Sequence, residues 1–351
     1  MKKLYSFLIL ILIGCLNQLL VNGQTIQPVE RSVGKLQISV DPRMEILATV
    51  QLLSNSPYIR RDLSYSKDVI DYFKSFSSHE AVLMTDSLLQ KCGFVFDAPV
   101  AFMLYLSQLP ELEQQIAYKD YLKARSGRGD NLEKYRKSIK YFAEISNFET
   151  FWSSSIPSYN QTLDLMIAEM GELDFVKILE NYYNDTFESY NIILSPSFIG
   201  GFGPTITDID GNDIAYVCIP NFNGMQLRGF IWHEFGHSFV NPLVDKYSDK
   251  LVSLNKLFEP IKEDMTKASY GNWTVCVKEH VVRAVVVRLF ELYVDPEFSK
   301  IVLESELKQR FIYIEPLVEK LKDFEIQRDK NKITFAEYYP ELLNVLESLL
   351  P

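Results

Sequence analysis

Two histidines four residues apart, with a glutamate directly after the first, stand at His233-Glu234-Phe235-Gly236-His237. On an α-helix a four-residue step returns to nearly the same face, so both imidazoles project side by side. Such a pair supplies two ligands of a tetrahedral Zn²⁺ site, completed by a third side chain and a water. Glu234 lies about 100° round the helix from His233, too divergent to ligate beside it but able to reach that water. Zinc lowers the water's pKa towards about 7, and a neighbouring carboxylate can take its proton as it attacks a carbonyl. The residue types and their spacing point to metal-assisted hydrolysis with Glu234 as general base.

The flanks fit a helix buried at a domain centre. Phe230, Ile231, Trp232, Phe235, Gly236, Ser238 and Phe239 are uncharged. Glu234 is the charge among them, and a buried carboxylate is costly unless a cation compensates it. The pattern resembles that of the zincin metallopeptidases. The competing reading is a core helix whose histidines only hydrogen-bond. Of the other histidines, His79 is followed by Glu80 but has no second histidine at the required spacing, and reads as a surface residue at a helix start.

The third ligand has to come from further along. Metzincins place glycine and histidine three and six residues beyond the second motif histidine. Val240 and Leu243 stand there, which excludes that branch, and Asn241-Pro242 is expected to end the helix. A carboxylate on a second helix, as in gluzincins, is the remaining route. Glu259 is followed by Pro260, which biases it towards a helix end. Glu279 sits in the apolar run from Trp273 to Phe290, expected as a buried helix where a carboxylate needs a cation. The expected ligand set is His233, His237 and Glu279. Arg283 lies four residues on and can pair with Glu279 or orient it. His280 is the rival third ligand, and Glu259 a further one. For an oxyanion donor, Tyr270 and Tyr216 are the candidates among 20 tyrosines.

The stretches D-P-R-M-E-I-L at Asp41, H-E-F-G-H-S-F-V-N-P-L at His233 and E-H-V-V-R-A at Glu279 resemble a family of exported bacterial proteins classed as a domain of unknown function with suggested peptidase activity. That resemblance implies a zincin-like fold across nearly the whole mature chain, without implying a substrate. The long gap before Glu279 departs from well-studied gluzincins.

The elements that must position these residues are mostly helical. Val33 to Val40 alternates as a strand. Asp41-Pro42 then opens a helix from Arg43 to Leu53, with aspartate capping and proline at the first turn. Helical patterns follow at Tyr65–Phe76, His79–Lys91, Ala98–Ser107, Asn131–Ser146 and Leu163–Tyr183, with a loop at Arg125–Asp130. Two strands, Asn191–Ser195 and Ala215–Pro220, precede the motif. Between them lie the Gly200-Gly201-Phe202-Gly203-Pro204 loop and a turn at Asp208–Asp213. Two strands before an H-E-x-x-H helix resemble the zincin arrangement, in which an antiparallel edge strand pairs with an extended peptide. Helices at Leu303–Lys322 and Tyr338–Leu350 close the chain, with a boundary at Tyr339-Pro340. The expected class is α+β, predominantly helical, with a zincin-like core holding a small antiparallel sheet and the motif helix. A mainly helical region, 24–155, would form one integrated unit with a catalytic region, 156–351.

Met1-Lys2-Lys3 and the apolar run from Leu4 read as a secretory signal over residues 1–23. Leu12-Ile13-Gly14-Cys15 also resembles a lipobox, so Cys15 would be an alternative lipidated terminus. The expected location is exported: periplasmic, cell-surface or extracellular. No later run approaches the roughly 20 apolar residues a membrane span needs. Net charge is −10, and −12 without Lys2 and Lys3, which with the absence of a basic motif argues against nucleic acid. Cys92, Cys218 and Cys276 allow at most one bridge and a free thiol. The function expected is that of a secreted Zn²⁺-dependent metallohydrolase acting on peptides or proteins. The alternative is a non-catalytic cell-envelope binding protein on the same scaffold.

Overall fold

The computed structural model describes residues 25–220 and 224–351. The signal segment and Cys15 lie outside the described residues.

Most of the chain is helical, arranged around a five-stranded sheet: β1 (Val29–Val33), β2 (Leu36–Val40), β3 (Ser189–Leu194), β4 (Thr205–Thr207) and β5 (Asp213–Ile219). The order across the sheet is β1-β2-β3-β5-β4. The α+β class is as expected, but the sheet is mixed rather than antiparallel. β2 pairs parallel with β3 (Ile38 opposite Ile192) and β3 parallel with β5 (Ile192 opposite Val217). Parallel pairing needs a crossover, and the whole run of helices from Pro42 to Tyr183 supplies it between β2 and β3. The hairpins β1–β2 and β4–β5 are antiparallel. The expected single strand Val33–Val40 is divided by Gly34, whose φ of +60° turns the first hairpin. Ile38, Val40, Ile192, Ala215, Val217 and Ile219 share one face of the sheet and are fully buried, whereas Gln37, Ser39, Asn191 and Tyr216 on the other face are half-buried. Residue 155 lies within the helix Phe148–Met170, and the sheet draws strands from both sides of it.

Several helix boundaries differ from expectation for local backbone reasons. Leu163–Tyr183 is two helices, Phe148–Met170 and Phe175–Tyr183, broken at Gly171 (φ +68°) and restarted by Asp174, whose carboxylate accepts from the Lys177 N–H. Leu303–Lys322 is likewise Pro296–Lys308 and Ile314–Asn331, parted where Arg310 takes φ +73°. Neither expected proline boundary holds: Pro242 lies inside Gly224–Lys246 and Pro340 inside Phe335–Ser348. His79 is the N-cap of the helix Glu80–Cys92, its Nδ1 accepting from the Ala81 N–H at 3.1 Å.

Two long helices position the candidate site: the motif helix, Gly224–Lys246, and the Glu279 helix, Trp273–Tyr293, which Asn272 caps through the Val275 N–H. Trp232 packs against Phe175 and Phe290, and Phe235 against Tyr190 of β3. The helices run antiparallel, and Gly236 allows their close approach. A methyl group there would stand 3.2 Å from Val282 and 3.2 Å from the Tyr183 hydroxyl. Lys278 and Asp245 tie the same pair of helices at 2.6 Å. Among the described residues no helix is long and apolar enough to cross a membrane.

Candidate metal centre

That close crossing brings Glu279 onto the imidazoles. His233 Nε2 and His237 Nε2 lie 3.1 Å apart. Glu279 Oε2 is 3.5 Å from His233 Nε2, and Oε1 is 3.4 Å from His237 Nε2. Among the described residues these three side chains form the group that could hold a metal ion. A tetrahedral zinc with ligand bonds near 2.0–2.2 Å requires ligand atoms roughly 3.3–3.5 Å apart. The donor set fits in separation as well as in chemistry.

By themselves the surrounding groups favour an ionised Glu279 and a neutral His233, but a protonated His237 whose proton a metal would have to displace. His237 Nδ1 lies 3.2 Å from Asn241 Oδ1, so the amide carbonyl can accept the Nδ1 proton and leave Nε2 free towards Glu279. Burial raises the Glu279 carboxyl, but hydrogen bonding to His237 and the charges of His237, His233 and Arg283 outweigh it and hold Glu279 ionised. Burial dominates at His233 and keeps it neutral. At His237 the Glu279 carboxylate wins over burial and raises the imidazole.

Arg283 braces Glu279. Its Nε donates to Glu279 Oε2 at 3.2 Å, one Nη to Glu306 at 2.7 Å and the other to the Tyr270 hydroxyl at 3.2 Å. Its guanidinium lies 4.2 Å from the Phe311 ring centre. Glu306 comes from the helix Pro296–Lys308 and no sequence spacing announced it.

His233, Glu234, Tyr270, Arg283 and Glu306 face a cleft of about 570 Å³. Burial pushes the Glu234 carboxyl up to about 7. It is roofed by the glycine loop: a methyl on Gly201 would meet Glu234 Oε1 at 2.7 Å, and one on Gly203 the Glu234 carbonyl oxygen at 2.2 Å. The loop continues β4 along β5. Phe202 and Cys218 exchange both backbone hydrogen bonds, and the Tyr216 N–H donates to the Pro204 carbonyl. Residues 202 and 204 therefore face β5, and alternation turns the backbone groups of Gly201, Gly203 and Thr205 outward along the sheet edge, where the Thr205 carbonyl accepts from Lys119 Nζ at 3.3 Å.

The other candidates fall elsewhere. His280 is buried among Trp273, Phe311 and Tyr313, its Nδ1 donating to the Cys276 carbonyl at 2.7 Å. Burial pushes it down to about 4. Glu259 is exposed and its ionic neighbour is Lys262 at 3.8 Å. Tyr270 lines the cleft, whereas the charged neighbours of Tyr216 are Arg43, Asp41 and Asp208. Cys92, Cys218 and Cys276 are all free thiols.

Residues 36–345 match the family described as a domain of unknown function, DUF4932. The chain belongs to that family. No curated protein and no solved structure matches it. The DUF4932 match takes in β2, both site helices and all three candidate ligands.

Proposed function

We propose that this chain is an exported zinc-dependent metallohydrolase of gluzincin type, acting on peptide bonds. The observation that carries the reading is the set of three ligand atoms at 3.1–3.5 Å, beside Glu234, at the wall of an open cleft. Zinc bound there would polarise a carbonyl and acidify a water molecule. The chain's own groups account for the remainder. Glu234, sheltered under Gly201, takes a proton from the attacking water and returns it to the departing amine nitrogen. The Tyr270 hydroxyl, held by Arg283, donates to the oxygen on which charge develops. Outward backbone groups at Gly201 and Gly203 are suited to pair with an extended peptide laid along the edge, up to Thr205, whose carbonyl accepts from Lys119.

The test is metal content by mass spectrometry on the purified protein, beside Glu279→Ala, His280→Ala and Glu259→Ala. About one zinc per chain, lost in Glu279→Ala and retained in the other two, is the expected result. Peptide hydrolysis by the wild type that disappears in Glu234→Ala, with zinc retained, completes it. Zinc bound without any Glu234-dependent hydrolysis would instead favour the non-catalytic binding scaffold.

A further inference from the structure

The cleft is chemically divided along its length. Its ionisable groups gather at the end holding His233 and Glu234, where Arg283 is already engaged by Glu279 and Glu306. Away from that end the walls are Met225 and Phe230 of the motif helix, Val286 and Phe290 of the Glu279 helix, and Phe298 and Val302 of Pro296–Lys308, with the uncharged amide Gln226 among them. Gly229 lies one turn before His233, and a methyl group added there would meet the Phe290 ring at 3.4 Å. The lack of a side chain at Gly229 keeps the groove floor open. From His233 back to Met225 is eight residues of one helix, a rise of roughly 12 Å. An extended peptide of three to four residues, at about 3.3 Å each, covers that length.

From this division we propose that the groove beside the metal centre is a specificity pocket for a bulky apolar side chain, aromatic or branched aliphatic, flanking the scissile bond of a peptide. The inference rests on the hydrolase reading above. Continuity of the apolar walls with His233 and Glu234 puts such a side chain within one or two residues of the reacting carbonyl. A charged side chain in the same place would give up its hydration, while the ionic groups Arg283 and Glu306 at the other end of the cleft already pair with each other. Selection thus operates both by contact and by exclusion.

Two measurements test this on the full chain loaded with zinc. In a mixed-sequence peptide digest, phenylalanine, tyrosine, leucine and isoleucine should be favoured beside the cleavage point over aspartate and lysine by about 10- to 100-fold in kcat/KM. Val302→Trp, with zinc content unchanged, should abolish that preference in favour of small residues. Val302→Asp should shift it towards lysine and arginine. Separately, calorimetric titration compares acetohydroxamic acid with 3-phenylpropanohydroxamic acid, two chelators differing in the apolar arm. The phenyl compound should bind at least about 10-fold more tightly, and Val302→Trp should remove the difference. Equal hydroxamate affinities, or a cleavage preference untouched by Val302→Trp, would overturn the pocket. Tighter phenyl binding without peptide cleavage would uphold the pocket while refuting the peptidase reading.

Discussion

At the scale of the residue, Arg283 couples the candidate ligand Glu279 to the cleft wall through Glu306 and Tyr270. Removing it leaves two carboxylates facing each other and the ligand free to turn. Arg283→Gln is expected to weaken zinc binding by about 10- to 100-fold, read by competition with a fluorescent chelator. Arg283→Lys should recover little, because an ammonium cannot span three partners in a planar fork. A second buried carboxyl, Glu45, stands on the helix Pro42–Leu53. Burial pushes it up to about 7, offset in part by the hydrogen bond from the Tyr65 hydroxyl. A carboxyl raised on folding binds its proton more tightly in the native chain, so it contributes stability at low pH that fades between about 4.5 and 7. Urea melts should show that fall, up to about 3 kcal/mol from this group, and Glu45→Gln should reduce it, leaving the share that Glu234 contributes over the same window. A pH profile identical in wild type and variant would refute the assignment.

At the scale of the element, the glycine loop and the motif helix are built to touch. Gly203→Ala drives a methyl into the Glu234 carbonyl and has no flexible neighbour to displace. It should lower the melting temperature and reduce hydrolysis together. Gly201→Ala meets only the Glu234 side chain. It should leave stability and zinc content near wild type while cutting kcat by about 10-fold or more, since the base moves off its proton. An active Gly201→Ala would argue against this placement of Glu234. The His233, Glu234, His237 and Glu279 positions were legible because period and chemistry coincide there, and because an apolar helix makes any charge conspicuous. Helix ends were less so. Pro157, Pro242 and Pro340 all sit inside helices. One lost backbone hydrogen bond is outweighed where neighbours such as Phe239 and Tyr339 are buried. Conversely, Arg310 breaks a helix by a positive φ that its side chain does not signal. The packing of Gly201 and Gly203 on Glu234 joins residues some thirty positions apart, so the loop could be read but not its target.

At the scale of the molecule, the parallel pairing of β2 with β3 determines which parts can fold alone. β3 lies between β2 and β5, and residues such as Ile192 and Ile193 are buried through that pairing. A chain beginning at residue 156 retains both site helices and all three candidate ligands, yet it loses β1, β2 and the helices that precede it. β3 would then present an unpaired apolar edge, a template for aggregation. Such a fragment is expected to lack a cooperative urea transition and to bind zinc no better than an unfolded peptide with the same ligands. The full chain should unfold in one transition followed alike by circular dichroism and tryptophan fluorescence. Chelation should lower its midpoint, because a metal held by the motif and Glu279 helices together stabilises only the folded arrangement. If the fragment instead melts cooperatively with metal-dependent stability, the metal centre is an independent folding unit and the long crossover is an attachment to it. The shared sheet argues against that outcome: the strand next to β5, whose edge loop roofs Glu234, is itself paired to the first strands of the described chain.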